Sequence, residues 1–134
     1  MEAIEAVIQF LKTAGLSTSQ IASKKHYGDG WEPHSPAVIV RLDGGDPKLY
    51  TEMRNVRIEV SCYAASDYAA LLLMNEVTAA FKLAERKTVV ITGGTALIYW
   101  INEASGKSVL FDEDMQMDFA LQFFEAAVCE TLLI

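Results

Sequence analysis

The stretch NVRIEVSCYA, residues 55–64, decides the fold together with DYAALLLMNEVTAAFKLA, residues 67–84, which follows after two residues. Within 55–64 apolar and other residues alternate, and this is the period of a strand that turns one face to the core. One side carries Val56, Ile58, Val60 and Cys62, and the other carries Arg57, Glu59, Ser61 and Tyr63. Residues 55–64 therefore predict a half-buried strand.

The second segment has the spacing of a helix. Its apolar residues recur at intervals of three and four, which places them on one side of a helix. That stripe consists of Ala70, Leu73, Met74, Val77, Ala80, Phe81 and Ala84. Ser66 is a suitable N-cap, because its hydroxyl can accept a hydrogen bond from a backbone N–H of the first turn, and Asp67 suits the positive end of the helix dipole.

The chain before this unit contains a helix and at least one more strand. A helix is predicted over Glu2–Thr13, where apolar residues share one face and Gly15 follows as a terminator. A short strand is expected within 21–27, and a clear apolar strand over Ala37–Leu42. The turn-forming run Asp43–Pro47 is predicted to end that strand and to open a loop.

The chain after residue 84 is predicted to be mostly strand. Residues 88–92 and 95–102 are strand-like, and the glycine pair at 93–94 between them indicates either one bent or bulged strand or two consecutive strands. A final strand is predicted over about 115–123, and the apolar tail 126–134 fits either strand or helix. In the final strand Met115, Met117, Phe119, Leu121 and Phe123 lie on one face, opposite Gln116, Asp118 and Gln122.

These elements predict one α+β domain over residues 1–134. The expected architecture is a mixed, mainly antiparallel β-sheet of about four to five strands, with two helices packed on one face. A chain of 134 residues is the size of one domain, and it contains no internal repeat or linker that would divide it.

Composition narrows the classes of function. The formal charge is −7, and only 11 residues are Lys or Arg, which argues against a protein that grips nucleic acid through its phosphates. A protein that surrounds DNA without holding it is still possible, because an acidic wall would repel the phosphates and let the duplex slide past. No run of residues is apolar enough to span a membrane, and the acidic start Met1–Glu5 is unlike a secretory signal, so a cytosolic protein with two reduced cysteines is expected.

Residues 95–101 form a strand that is apolar on both faces. Leu97, Tyr99 and Ile101 alternate with Ala96, Ile98 and Trp100. If both helices cover one face of the sheet, the second apolar face needs another cover. A second subunit is the favoured cover, and the apolar tail folding back over Trp100 is the alternative.

The candidate chemical sites are weak. Asp112, Glu113, Asp114 and Asp118 form the densest acidic cluster, but their spacing matches no calcium loop. His26 and His34 have no cysteine at ligand spacing, and Cys62 is interpreted as a small core residue. Tyr27 and Trp31 are interpreted as loop anchors. Neither a catalytic set nor a cofactor site is predicted.

The order of elements resembles that of the tail-terminator, or tail-completion, proteins of long-tailed bacteriophages and prophages. The resemblance is sharpest over VRIEVSCYAASDYAALLLMNEVTAAF and continues in MQMDFALQFF near the C-terminus. It implies a non-enzymatic structural subunit, made in the host cytoplasm, that forms a hexameric ring in the virion tail. Such a ring ends polymerisation of the tail-tube protein and offers a surface to a head-completion or connector protein, while DNA passes through without specific binding.

A ring requires a heterologous interface, in which one patch meets a different one. Ile98 and Trp100 are the candidates for one side. The candidates for the other side are Gly44, Gly45, Lys48, Leu49, Tyr50 and Arg54. Two other hypotheses remain open: a dimeric binding or regulatory module with a ferredoxin-like sheet, and a small metal-dependent enzyme using the acidic cluster.

Overall fold

A computed structural model of the chain describes residues 2–16, 18, 20–22, 35–47, 53–92, 94–113 and 116–132. The elements in chain order are α1 (Glu2–Thr13), β1 (Ile21–Ala22), β2 (Ala37–Pro47), β3 (Met53–Ala64), α2 (Asp67–Lys82), β4 (Lys87–Ile91), β5 (Gly94–Glu103), β6 (Ser108–Asp112) and β7 (Met117–Leu132).

The strands form a single curled, mixed half-barrel sheet. The strand order is β1-β2-β3-β7-β5-β4, and β6 pairs with β7 beside β5. Of the pairings in the described sheet, β1 with β2 is parallel and the others are antiparallel. The prediction of an α+β fold with four to five strands is wrong, because seven strands dominate the molecule. The ferredoxin-like sheet of the alternative hypothesis is also wrong, since that motif has the order β-α-β-β-α-β, and a dimeric binding or regulatory module on another sheet stays a hypothesis.

Both helices pack against the same side of the sheet, here called the helix face. The main core lies between the two helices and this face of the sheet. It combines residues of α1 and α2 with alternate residues of β2, β3, β5 and β7. A smaller cluster lies on the opposite side, here called the far face. Its buried members are Ala37, Ile39, Tyr63 and Met117.

The unit from β3 to α2 forms as its sequence predicts. Val56, Ile58, Val60 and Cys62 are buried in the main core, as are all seven residues of the helical stripe. Ser66 is in an extended conformation, and its side chain accepts a hydrogen bond from Ala69 N at 3.1 Å. The predicted N-cap is therefore confirmed. Helix α1 also has its predicted limits, and Gly15 follows it with a φ of +76°.

Strand β2 continues through the run predicted to be a turn. Residues Asp43–Pro47 remain in the strand, and the register with β3 shifts between Leu42 and Gly45. A β-bulge absorbs extra residues without ending a strand, and glycine is well suited to its distorted backbone. The prediction that β2 stops at Leu42 is therefore wrong.

Strands β4 and β5 form an antiparallel hairpin, with Ile91 opposite Gly94. Of the two predicted alternatives, two consecutive strands are therefore confirmed, and one strand with a bulge at 93–94 is wrong. A bulge does occur in β5, but further along, between Ile98 and Trp100, which pair with the consecutive residues Val128 and Ala127.

Strand β7 is the centre of the sheet and is longer than predicted. It runs from Met117 to Leu132, so the apolar tail is strand as far as the structure describes it. One edge of β7 pairs with β3, and the other pairs with β5 and then β6. Strand β6 was not predicted, because five residues with no polar alternation carry little strand signal. In the described chain, no helix is long and apolar enough to cross a membrane.

Candidate assembly surface

The two β5 residues predicted to form one side of an interface lie in different environments. Ile98 is fully buried in the main core, whereas Trp100 remains 36% exposed. The bulge at Tyr99 changes the alternation, so that Ile101 joins Ile98 on the helix face and Trp100 turns to the far face. The assignment of Ile98 to an interface is therefore wrong, while Trp100 is accessible to a partner.

The other half of the predicted interface lies near the end of β2. Gly44 and Gly45 belong to this strand, and Gly45 pairs with Val56 of β3. Arg54 lies in β3 and pairs with Pro47 and Val128. The remaining predicted residues, Lys48, Leu49 and Tyr50, lie outside the described residues.

The sheet places these two halves at the same end but three strands apart. Trp100 pairs with Ala127, Ala127 with Asn55, and Asn55 with Asp46, so these residues form one row across β5, β7, β3 and β2. With strands about 4.8 Å apart, Trp100 lies about 14 Å from the β2 backbone. The halves are therefore distinct surfaces of one chain, as a heterologous contact requires.

Aromatic side chains line the far face beyond this row. Tyr63 and Phe119 stack with their ring centroids 4.9 Å apart. The guanidinium of Arg57 lies over the Phe123 ring, 4.8 Å from its centroid. A cation over an aromatic face holds both groups in place, so this part of the far face is an ordered mixture of apolar and basic groups.

Tyr63 also joins β3 to β6. Its hydroxyl donates a hydrogen bond of 2.9 Å to Asp112 Oδ2. Burial, and then the hydrogen bond to Asp112, raise the pKa of Tyr63. Both causes favour the neutral phenol, since ionisation would place a phenolate in an apolar setting beside a carboxylate.

This raised pKa predicts a loss of stability in alkali. An unfolded tyrosine ionises near pH 10, while folded Tyr63 keeps its proton, so the unfolded state binds fewer protons and stability falls as pH rises past 10. In Tyr63→Phe this part of the slope, about 1.4 kcal/mol per pH unit, should disappear. Urea unfolding of both proteins from pH 8 to 11 measures it.

Buried Cys62 has a raised pKa and adds an alkaline slope of its own, but it is common to both proteins and cancels in the comparison. Parallel stability curves of wild type and Tyr63→Phe above pH 10 would contradict the prediction. At neutral pH the variant should lose about 1 kcal/mol, the usual contribution of one such hydrogen bond.

The acidic cluster is divided between the two faces of the sheet. Asp112 pairs with Met117, and Asp118 pairs with Phe111, so alternation turns the two carboxylates to opposite sides. Asp114 lies outside the described residues. In the part of the chain that the structure describes, no group of three or more His, Cys, Asp or Glu side chains is arranged to hold a metal ion. His26, His34, Tyr27 and Trp31 all fall in the undescribed segment.

The two cysteines are far apart and are not joined in a disulfide. Cys62 pairs with Ala120, while Cys129 pairs with Met53 at the other end of β3, nine residues or about 30 Å away. Cys62 is completely buried, with its sulfur 3.9 Å from that of Met74, and burial raises its pKa. A thiol that keeps its proton is a poor nucleophile, which fits a core residue.

The buried Gln122 is a structural residue that the sequence does not reveal. The sequence predicts it on the side of its strand opposite the apolar residues, but it is only 1% exposed, because that side of β7 faces the helices. Its Nε2 donates to Ser105 O at 2.9 Å, and Ser105 Oγ accepts from Phe123 N at 3.0 Å. These bonds attach the β5–β6 connection to β7.

No protein-family model matches this chain, and no curated protein is significantly similar to it. Function therefore has to be inferred from the core and surface of the chain itself.

Proposed function

We propose that this protein is a non-enzymatic structural subunit that assembles into a closed ring, and that the ring caps a phage or prophage tail tube. In this role it ends tube polymerisation and presents a joining surface to a head-completion or connector protein. The resemblance to tail-terminator proteins supplies the biological setting. The exposed Trp100 carries the assembly part of the proposal.

A tryptophan that is 36% exposed on a sheet face is a typical anchor for a protein contact. Its large apolar ring gains from leaving water, and its indole N–H can bind a polar group at the rim of a contact. Trp100 lies in the same row as Asp46, which follows the β2 bulge, but on a different strand. One copy's Trp100 against the next copy's β2 end would make the repeating contact that a ring needs.

The charge of the chain fits the passage of DNA. A net charge of −7 gives six copies a strongly negative assembly. A negatively charged surface of this kind repels the phosphate groups of DNA, which favours passage of the duplex over its binding. The proposal includes no cofactor and no membrane.

The assembly state and the role of Trp100 are tested together. We expect the purified protein to have a mass close to six times 14.8 kDa in light scattering, and to form six-fold annuli in electron micrographs. Trp100→Asp should weaken self-association by at least about 100-fold, because a carboxylate in an apolar contact loses hydration without gaining a partner.

Leu83→Asp is the matched control, since Leu83 is 71% exposed at the end of α2, away from the proposed contact. It should leave the mass unchanged. A wild-type protein that is monomeric at all concentrations, or a Trp100→Asp variant that still forms annuli, contradicts the ring. A stable dimer without annuli would favour the alternative of a dimeric binding module.

A further inference from the structure

Strand β6 is a second exposed apolar surface, and it lies at an open edge of the described sheet. Within the described sheet it pairs with β7 alone, so its outer edge carries backbone groups that no strand uses. Its three central residues are all exposed: Val109 by 40%, Leu110 by 47% and Phe111 by 53%. An exposed apolar edge strand is a template for pairing with another strand.

The strand is held firmly enough to act as a template. At its start, the bonds of Ser105 to Gln122 and Phe123 fix the connection from β5. At its end, Asp112 accepts the hydrogen bond from Tyr63, and Gln116 Nε2 donates to Glu113 O at 2.6 Å. A preformed strand loses little conformational entropy when a partner adds to it.

We propose that a second copy of this chain adds its own β6 to this edge, antiparallel, across a two-fold axis at Leu110. The contact is independent of the ring contact through Trp100. It would join two chains, or two rings, through one continuous sheet.

The charges around β6 select this partner and this register. When Leu110 faces itself, Lys107 faces Glu113 of the other copy, and both residues are exposed. The same register places Val109 opposite Phe111, a β-branched and aromatic pair of the kind that stabilises antiparallel strands.

Other registers lose these pairs. A slip of the register by two residues puts Lys107 opposite Phe111, or Glu113 opposite Val109. A parallel, in-register pair puts each Lys107 opposite the other, and like charges in that position are destabilising. The sequence from 107 to 113 is therefore complementary to itself in a single antiparallel arrangement.

Disulfide crosslinking tests the axis directly. In Leu110→Cys the two introduced thiols would lie opposite each other, with Cβ atoms about 5 Å apart, close enough for a disulfide after a small adjustment. Under mild oxidation we expect a covalent dimer to form at least tenfold faster than in Leu83→Cys, whose residue is more exposed, at 71% against 47%, but lies off the axis. Equal rates for the two variants would overturn the proposal.

A charge exchange tests the register. Lys107→Glu and Glu113→Lys should each slow crosslinking of Leu110→Cys by at least fivefold, because each places like charges opposite one another. The two substitutions together restore opposite charges, and the rate should return to within about twofold of the parent. A double variant as slow as the single ones would show that β6 meets a strand of another protein or none, and would overturn pairing between copies. The result does not depend on whether six-fold annuli form.

Discussion

Phe124→Ala is expected to lower the free energy of unfolding by about 3–5 kcal/mol, the range for removing a buried aromatic ring. Phe124 is 1% exposed, and it pairs with Ile58 of β3 and with Glu103 of β5 at the centre of the sheet. Its ring meets that of Phe81 edge to face, with centroids 4.8 Å apart. The substitution leaves a cavity where α2 meets three strands, so the surroundings cannot close over it easily.

Urea unfolding followed by circular dichroism measures this loss. Phe119→Ala is the matched control, because Phe119 lies in the same strand but is half-buried on the far face. Its loss should be clearly smaller than that of Phe124→Ala. Equal losses at the two positions would contradict a main core on the helix side of β7.

Gln122→Glu is the second large effect that we expect, a loss of about 3–5 kcal/mol at pH 7. The side chain is buried, and its Nε2 donates to Ser105 O, so a carboxylate there would lose this bond and face a carbonyl oxygen. Among the residues that the structure describes, the Oε1 atom has no hydrogen-bond partner, so no donor there is placed to compensate a charge. The change is close to isosteric, which removes packing as an explanation.

This loss should depend on pH in a defined direction. Burial raises the pKa of an introduced carboxyl above its unfolded value of about 4.3, so its destabilising effect is absent below that pH and grows as pH rises. Comparison of Gln122→Glu with wild type at pH 4 and pH 7 measures it. Asn75→Asp, the same amide-to-carboxylate change at an exposed position of α2, is the control and should change little. A loss of equal size at both pH values would contradict a buried charge as the cause.

Local patterns were enough to predict the strand and helix that meet at Ser66. The alternation of Val56, Ile58, Val60 and Cys62 belongs to a strand with one face in a core, and a serine before an apolar helical stripe is a cap. These features depend on neighbours a few residues away. They can therefore be recognised in the sequence without knowledge of how the rest of the chain folds.

The candidate site was only partly predictable, for a physical reason that Ile98 and Trp100 illustrate. Simple alternation puts both on one side of β5, but a bulge at Tyr99 turns them to opposite faces. The position of a bulge depends on how β5 registers against β7, a strand that begins more than a dozen residues later. One residue was therefore correctly placed at the surface, and the other was wrongly placed there.

The sequence by itself determined the β3–α2 unit, the limits of α1 and the acidic character of the chain. Only the tertiary structure decided the number of strands, the burial of Gln122 and the open edge at β6. Each of these depends on β7, whose two edges pair with β3 on one side and with β5 and β6 on the other. Side-chain patterns specify periodicity along a strand, whereas partners and faces follow from backbone pairing between distant segments.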